Sequence, residues 1–294
     1  MPRHLFQPAM PFLFVLLWST GFIGARFGMP YAEPLTFLSI RYVLVIALMG
    51  ALVFATRAPW PGNWRHAAHI GVTGLLVHGF YLGGVFVAIS HGLPAAVAAL
   101  VVGMQPLLTA LGAGWLLGEQ VSRRQWAGLA CGFIGVALVV SNKASLGATS
   151  SSGLTAMITP VVVALIAITI GTLYQKRYCP SFDLRTGSVI QFIPTLLITA
   201  VLASQTETMQ VTWSGEFLFA LGWLVVVLSL GAITLLNLLI RSGSAVNVAS
   251  LFYLTPPSTA VMAWLLFDEA LTYVALLGMA VAVTGVWLAR KRSA

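Results

Sequence analysis

Residues 95–119 read AAVAALVVGMQPLLTALGAGWLLGE, and residues 245–269 read AVNVASLFYLTPPSTAVMAWLLFDE. Laid over each other at an offset of 150 without a gap, Ala95, Ala99, Pro106, Thr109, Ala110, Ala113, Leu116 and Glu119 meet identical residues at 245, 249, 256, 259, 260, 263, 266 and 269. The match continues outward: Gly128, Ala130, Gly135, Val136 and Leu138 meet Gly278, Ala280, Gly285, Val286 and Leu288. At the same offset on the other side, Gly21, Arg26, Pro30 and Glu33 meet Gly171, Lys176, Pro180 and Asp183. A single offset that serves both ends marks an internal repeat, with units expected at 1–143 and 154–294.

Composition says what surrounds the repeat. Of 294 residues 59% are apolar and only 7% are charged. About a quarter would be charged in a soluble domain. This excludes a soluble enzyme, a disordered chain and a nucleic-acid reader; the +8 net charge lies between apolar runs rather than on one face. The two cysteines form no disulfide framework, and Cys131 and Cys179 are read as packing residues.

Crossing a bilayer takes about 20 apolar residues. Stretches free of Asp, Glu, Lys and Arg are 4–25, 42–56, 66–118, 125–142, 144–175, 186–206, 217–240, 242–267 and 270–289. The second extends back through Arg41. The third holds two helices, divided at His91-Gly92-Leu93-Pro94. The expectation is an all-α integral membrane protein of ten helices, because an open strand leaves backbone groups unpaired in hydrocarbon. The first run is read as a retained helix rather than a signal peptide. Five helices per repeat is an odd number, so the copies enter from opposite sides. Twelve of the fifteen basic residues (Arg3, Arg57, Arg65, Arg123, Arg124, Lys176, Arg177, Arg185, Arg241, Arg290, Lys291, Arg292) then fall on one side with both termini. The positive-inside rule makes that side cytoplasmic. Inverted repeats give one site two opposed openings, the design of secondary transporters.

Several motifs then add up. Trp18-Ser19-Thr20-Gly21-Phe22, Arg41-Tyr42, Gly92-Leu93-Pro94-Ala95-Ala96, Pro106-Leu107-Leu108-Thr109-Ala110, Leu117-Gly118-Glu119 and Gly132-Phe133-Ile134-Gly135-Val136 follow in order, with a weaker copy from Pro256 to Asp268-Glu269 and Gly285-Val286. Together they resemble the EamA-type branch of the drug/metabolite transporter superfamily over nearly the whole chain. The resemblance implies a plasma-membrane exporter of small metabolites, and it is nearest to aromatic amino-acid exporters. No motif fixes the substrate.

The energy source is not ATP through a P-loop. The lysines are Lys143, Lys176 and Lys291, and none follows a glycine. Every carboxylate lies at a helix end or in a loop, so transport without obligatory proton coupling is expected. His78 is the titratable group near mid-span, either a proton carrier or a packing histidine. Arg41, about two turns into its helix, either pairs with a substrate carboxylate or is tied to a helix-end carbonyl or Glu33; Gln191 takes its place in the second repeat. Pro106 and Pro256-Pro257 occupy matching places in the fourth and ninth helices and are candidate hinges. Cavity candidates are Trp18, Ser19, Arg41, His78, Tyr81, Gln105, Thr109, Tyr174, Gln191, Asn237, Asn247, Ser250, Tyr253 and Thr255. His78 and Tyr81 share a helix face. Aromatic groups in such a cavity suit a flat side chain. Trp60, Trp64, Trp126, Trp213 and Tyr273 are expected in the interfacial belt, and the glycine pairs 24/28, 79/83 and 128/132 at close helix contacts.

Two rivals remain. A membrane-embedded enzyme needs a catalytic cluster, and a channel-like pore needs a polar stripe or charge ring; the sequence shows neither. No catalytic residues, cofactor or metal are expected. The partners are a small-molecule substrate and the lipid bilayer.

Overall fold

The computed structural model describes residues 3–93, 98, 101–141, 151–267 and 272–289. Glu119 and its turn fall within this range; Pro94, Lys143, Asp268, Glu269 and Arg290–Arg292 lie outside the described residues. The described helices are α1 (Arg3–Gly28), α2 (Pro34–Thr56), α3 (Trp64–Ser90), α4 (Gln105–Leu117, with helical residues at 98 and 101–102 before it), α5 (Arg123–Ser141), α6 (Ser151–Tyr178), α7 (Leu184–Thr206), α8 (Gly215–Ser242), α9 (Ala245–Ser250, a 3₁₀ turn at Leu251–Leu254, then Thr255–Phe267) and α10 (Tyr273–Ala289). This is the expected ten-helix order of two inverted five-helix repeats.

Local chemistry sets the ends. Pro34 opens α2 and left-handed Arg57 closes it. Asp183 caps α7 at Arg185 N, Ser214 caps α8 at Phe217 N, and Ser244 caps α9 at Asn247 N. Gly92, at φ 95°, makes the turn after α3, where a side chain would be strained. On their own length and apolarity, Pro34–Thr56, Trp64–Ser90, Ala156–Tyr178, Leu184–Thr206 and Gly215–Ser242 suffice to cross a bilayer, at mean hydropathy 1.7 to 2.4. Large apolar side chains such as Phe54, Leu111, Trp115 and Leu197 point outward, as lipid-facing groups do.

The repeat symmetry is visible atom by atom where α5 crosses α10. A Cβ on Gly135 would lie 2.3 Å from Ala282 N and 2.7 Å from Gly278 O; one on Gly285 would lie 2.3 Å from Gly132 N and 2.7 Å from Gly128 O. Adding or subtracting 150 turns one set of neighbours into the other. Gly128 also meets Gly285 and Ala289, so residues that ascend in α5 meet residues that descend in α10, and the pair is antiparallel. In lipid, association depends on close packing of small residues, and this seam supplies it. The pairs α2–α7 and α4–α9 also meet across the same pseudo-two-fold axis.

Both repeats share a further irregularity. Leu75–Phe80 in α3 and Leu224–Ala232 in α8 are π-helical, and the offset of 150 places 75–80 on 225–230. Such wide turns recur at functional sites in helical proteins.

Candidate functional site

The fourth and ninth helices are discontinuous at matching places. α4 restarts at Gln105 after a turn at 103–104, and α9 passes through the 3₁₀ turn Leu251–Leu254 before restarting at Thr255. The prolines therefore differ from the expectation of kinks inside running helices. Pro106 is the second residue of its helical segment, and Pro256-Pro257 are the second and third of theirs. There a missing N–H costs nothing, since the first turn has no intrahelical acceptor for it.

The two breaks meet. Val102 and Gly103 from one, and Phe252, Thr255 and Pro256 from the other, line a void of about 10 Å³ together with Trp18 and Tyr81. A neighbouring void of about 30 Å³ runs from Trp18 and Tyr81 along Gly21, Ala25, Val85 and Leu228. These spaces suit a water molecule. Neither has room for a larger solute. The walls are aromatic: Trp18 stacks on Tyr81 at 6.2 Å between centroids and meets Phe252 edge-on at 5.3 Å, while Phe14 packs on Trp18 and Phe252. Polar links bind each break to a helix of the opposite repeat. Ser19 Oγ donates to Val15 O at 2.7 Å and Thr255 O at 3.4 Å, while Gln105 Nε2 donates to Thr172 Oγ1 at 3.3 Å. Gln105 and Thr255 are equivalent under the repeat.

Beside the voids lies a buried polar layer. Arg41 is wholly buried, and its Nε and Nη2 both donate to Ser229 Oγ at 3.0 and 2.9 Å. Its partner is thus a hydroxyl in the π segment of α8, neither a helix-end carbonyl nor Glu33. Glu33 accepts instead from Thr208 N and Oγ1. Arg41 Nη1 is buried without a hydrogen bond. Tyr42 OH donates to His78 O, and the His78 ring stacks on Phe192 at 4.3 Å. His78 and Gln191 are neighbours, yet the two ring nitrogens and Gln191 Oε1 make no hydrogen bond of good geometry. Gln105 Oε1, Thr109 Oγ1 and Thr255 Oγ1 are buried and unpartnered as well. Each such group costs roughly 1–3 kcal/mol in a dry site.

Not every expected residue joins this set. Tyr174 bonds His69 Nδ1 at 2.6 Å and clusters with Tyr178, apart from Trp18. Asn237 Oδ1 accepts from Gln175 Nε2 at 2.8 Å, near the end of α8. Asn247 and Ser250 bond within the first turns of α9. Tyr253 turns its ring toward Gly132 of α5. The sequence reading missed Phe14, Phe252, Gly103, Thr172 and Ser229. Only Gly103, one helical turn before Pro106, left a signal. Cys131 and Cys179 are free thiols packed against Val281 O and Thr73.

Two inverted repeats whose broken helices meet at a central aromatic and polar site define a membrane transporter. The chain belongs to the EamA-like transporter family, whose pattern it matches twice, over residues 9–141 and 155–290. It is similar to the uncharacterized transporter YvbV of Bacillus subtilis, at 26% identity over 95% of this chain and 90% of that protein. It is also similar to a protein of Escherichia coli K12 named as a probable amino-acid metabolite efflux pump, at 26% identity over 94% and 92%. The inner membrane transporter YedA of the same organism is 25% identical over 94% and 88%. A crystal structure superposes with a TM-score of 0.78 at 19% identity, covering 95% of this chain and 94% of the other, which shows a shared fold.

Proposed function

We propose that this protein is a secondary transporter that exports small neutral amino acids or their metabolites, aromatic ones foremost, across a bacterial inner membrane with both termini cytoplasmic. The units 1–143 and 154–294 act as the two halves of an alternating-access cycle that needs no ATP. The observation that carries this reading is the meeting of the two helix breaks, 103–104 and 251–254, at one void with Trp18 and Tyr81. In transporters of this kind discontinuous helices hold the substrate near the midplane, and half-helix N-termini favour an anionic group. Here the segments that begin at Gln105 and Thr255 supply such ends.

Arg41 has a free Nη1 and, among the described residues, no carboxylate pairs with it. A substrate carboxylate satisfies it, while Trp18, Tyr81 and Phe252 take an apolar side chain. The E. coli relative named for amino-acid metabolite efflux supports the substrate class. Pro106 and Pro256-Pro257 set the positions about which the halves move. The test is counterflow in proteoliposomes. Preloaded phenylalanine or a related amino acid accelerates uptake of the labelled compound, without an imposed pH gradient. A pore or an enzyme gives no such acceleration. Absence of counterflow across a panel of amino acids and their metabolites would exclude the proposal.

A further inference from the structure

A crevice of about 570 Å³ opens between α2 and α8, away from the central voids. Its volume falls within the range of pockets that bury a small organic ligand. Its walls are mostly apolar residues of membrane-spanning helices, Met49 and Leu52 from α2 and Leu230 from α8, with Thr234 one turn beyond Leu230. Leu52 is 40% exposed, so the crevice communicates with the lipid side. From Leu230 to Arg241 is eleven residues, or roughly 16 Å of helix, about half the thickness of a hydrocarbon core. The crevice is therefore a slot one leaflet deep.

Its mouth, at the basic end of the bundle, is of different chemistry. Phe182, Asp183 and Arg185 of the α6–α7 turn face Arg241 at the end of α8. Arg185 and Asp183 form a two-point pair, Nε to Oδ1 at 3.0 Å and Nη2 to Oδ2 at 2.6 Å, and so cancel each other. Arg241 keeps its charge. It lies over the Phe182 ring at 4.3 Å and donates through Nη2 to the Phe182 carbonyl, while its Nε is buried with no partner. The nearest carboxylate, Asp183, is close enough to act on it but is already engaged by Arg185, so the three groups together carry one net positive charge. A mostly apolar slot ending in a cluster of one net positive charge matches a molecule with an acyl chain and an anionic head.

We propose that this crevice is a binding site for one anionic phospholipid, with an acyl chain between Met49, Leu52 and Leu230 and the head-group phosphate on Arg241. Basic pockets between helices at a membrane's cytoplasmic face hold such head groups. The lipid is independent of the transported substrate, and the site stands or falls separately from the direction of transport.

The test is native mass spectrometry of the full-length protein released from detergent with equimolar phosphatidylglycerol and phosphatidylcholine. One basic residue near the surface contributes about 1 kcal/mol to anionic lipid attraction, which converts to about fivefold. The expected result is a phosphatidylglycerol preference of that size in the first bound lipid. Arg241→Gln should bring the ratio close to one. Leu52→Trp, at a position 40% exposed, should fill the slot and lower retention of phosphatidylglycerol while keeping Arg241. Equal retention of the two lipids by the wild type overturns the proposal. So does an unchanged preference in folded Arg241→Gln, or full retention in Leu52→Trp. Displacement of phosphatidylglycerol by millimolar glycerol phosphate would reassign the site to a soluble phosphate and overturn it too.

Discussion

Replacing Gly135 or Gly285 by alanine tests the inverted symmetry directly. Each new Cβ would stand 2.3 Å from a backbone nitrogen and 2.7 Å from a carbonyl oxygen of the facing helix, against at least 3.4 Å in ordinary contact. Backbone atoms have no rotamer by which to yield, so the axes of α5 and α10 must part by about 1 Å; a gap of that size forfeits roughly a quarter to a half of the dispersion energy along the seam. Overpacking costs about 1–3 kcal/mol in general, and backbone against backbone belongs at the upper end. Lipid tails supply no hydrophobic force to close the gap again. Unfolding by SDS titration of the purified protein is the assay. Gly222→Ala and Gly50→Ala serve as controls, since nothing lies within 4 Å of a Cβ there. Both seam variants should lose about 3 kcal/mol, and they should lose the same amount because 150 residues carry one environment onto the other. If they match the controls, or if only one of them is destabilised, the proposed packing of the two repeats is wrong.

Other expectations follow from the same geometry. Arg41→Gln should lower transport about 10- to 100-fold, the value of a charged hydrogen bond, in a liposome assay normalised to reconstituted protein; undiminished transport removes Arg41 from the site. Glu207 caps α2 by accepting from Leu35 N, Thr36 N and Thr36 Oγ1, so Glu207→Ala should cost about 1–2 kcal/mol of stability, read by thermal unfolding in detergent. Hydrogen bonds from Arg185 hold the Asp183 carboxyl below its ordinary value. A depressed folded pKa gives stability that is present above the ordinary carboxylate range, near pH 4, and is lost as pH falls through the folded value. Asp183→Asn should flatten the acid limb of the stability curve, and an acid limb identical to the wild type's would contradict the pairing.

The sequence carried the architecture and little of the site. Helix number, the repeat and its inversion follow from long uncharged runs and one offset, because hydrocarbon forbids any other backbone arrangement. Faces are another matter. In a membrane both the lipid side and the packed side of a helix are apolar, so periodicity does not say which way Trp18 or Tyr174 points. Trp18 meets Phe252 and Tyr81; Tyr174 goes to His69 on the other side. Nor does spacing reveal that Arg41 rests on Ser229, 188 residues away. The prolines stand just after the two breaks, at segment starts rather than inside running helices, and spacing does not say that the breaks converge.

The wide turns in α3 and α8 bear on how this chain tolerates change in length. A π-helical turn holds one residue more than an α turn in the same rise. Deleting a single residue from 75–80 would let the wide turn close into an α turn, so the loss is absorbed there and the side chains beyond keep their places round the axis; the same deletion from a regular α segment would swing them by about 100°, at 3.6 residues per turn. Tyr81 would stay on Trp18. Because both copies hold the surplus residue at the same place, the offset of 150 survives across it. The two halves keep one offset only while that residue is kept or lost in both together, and these segments are where each half can shed a residue without turning the helix beyond.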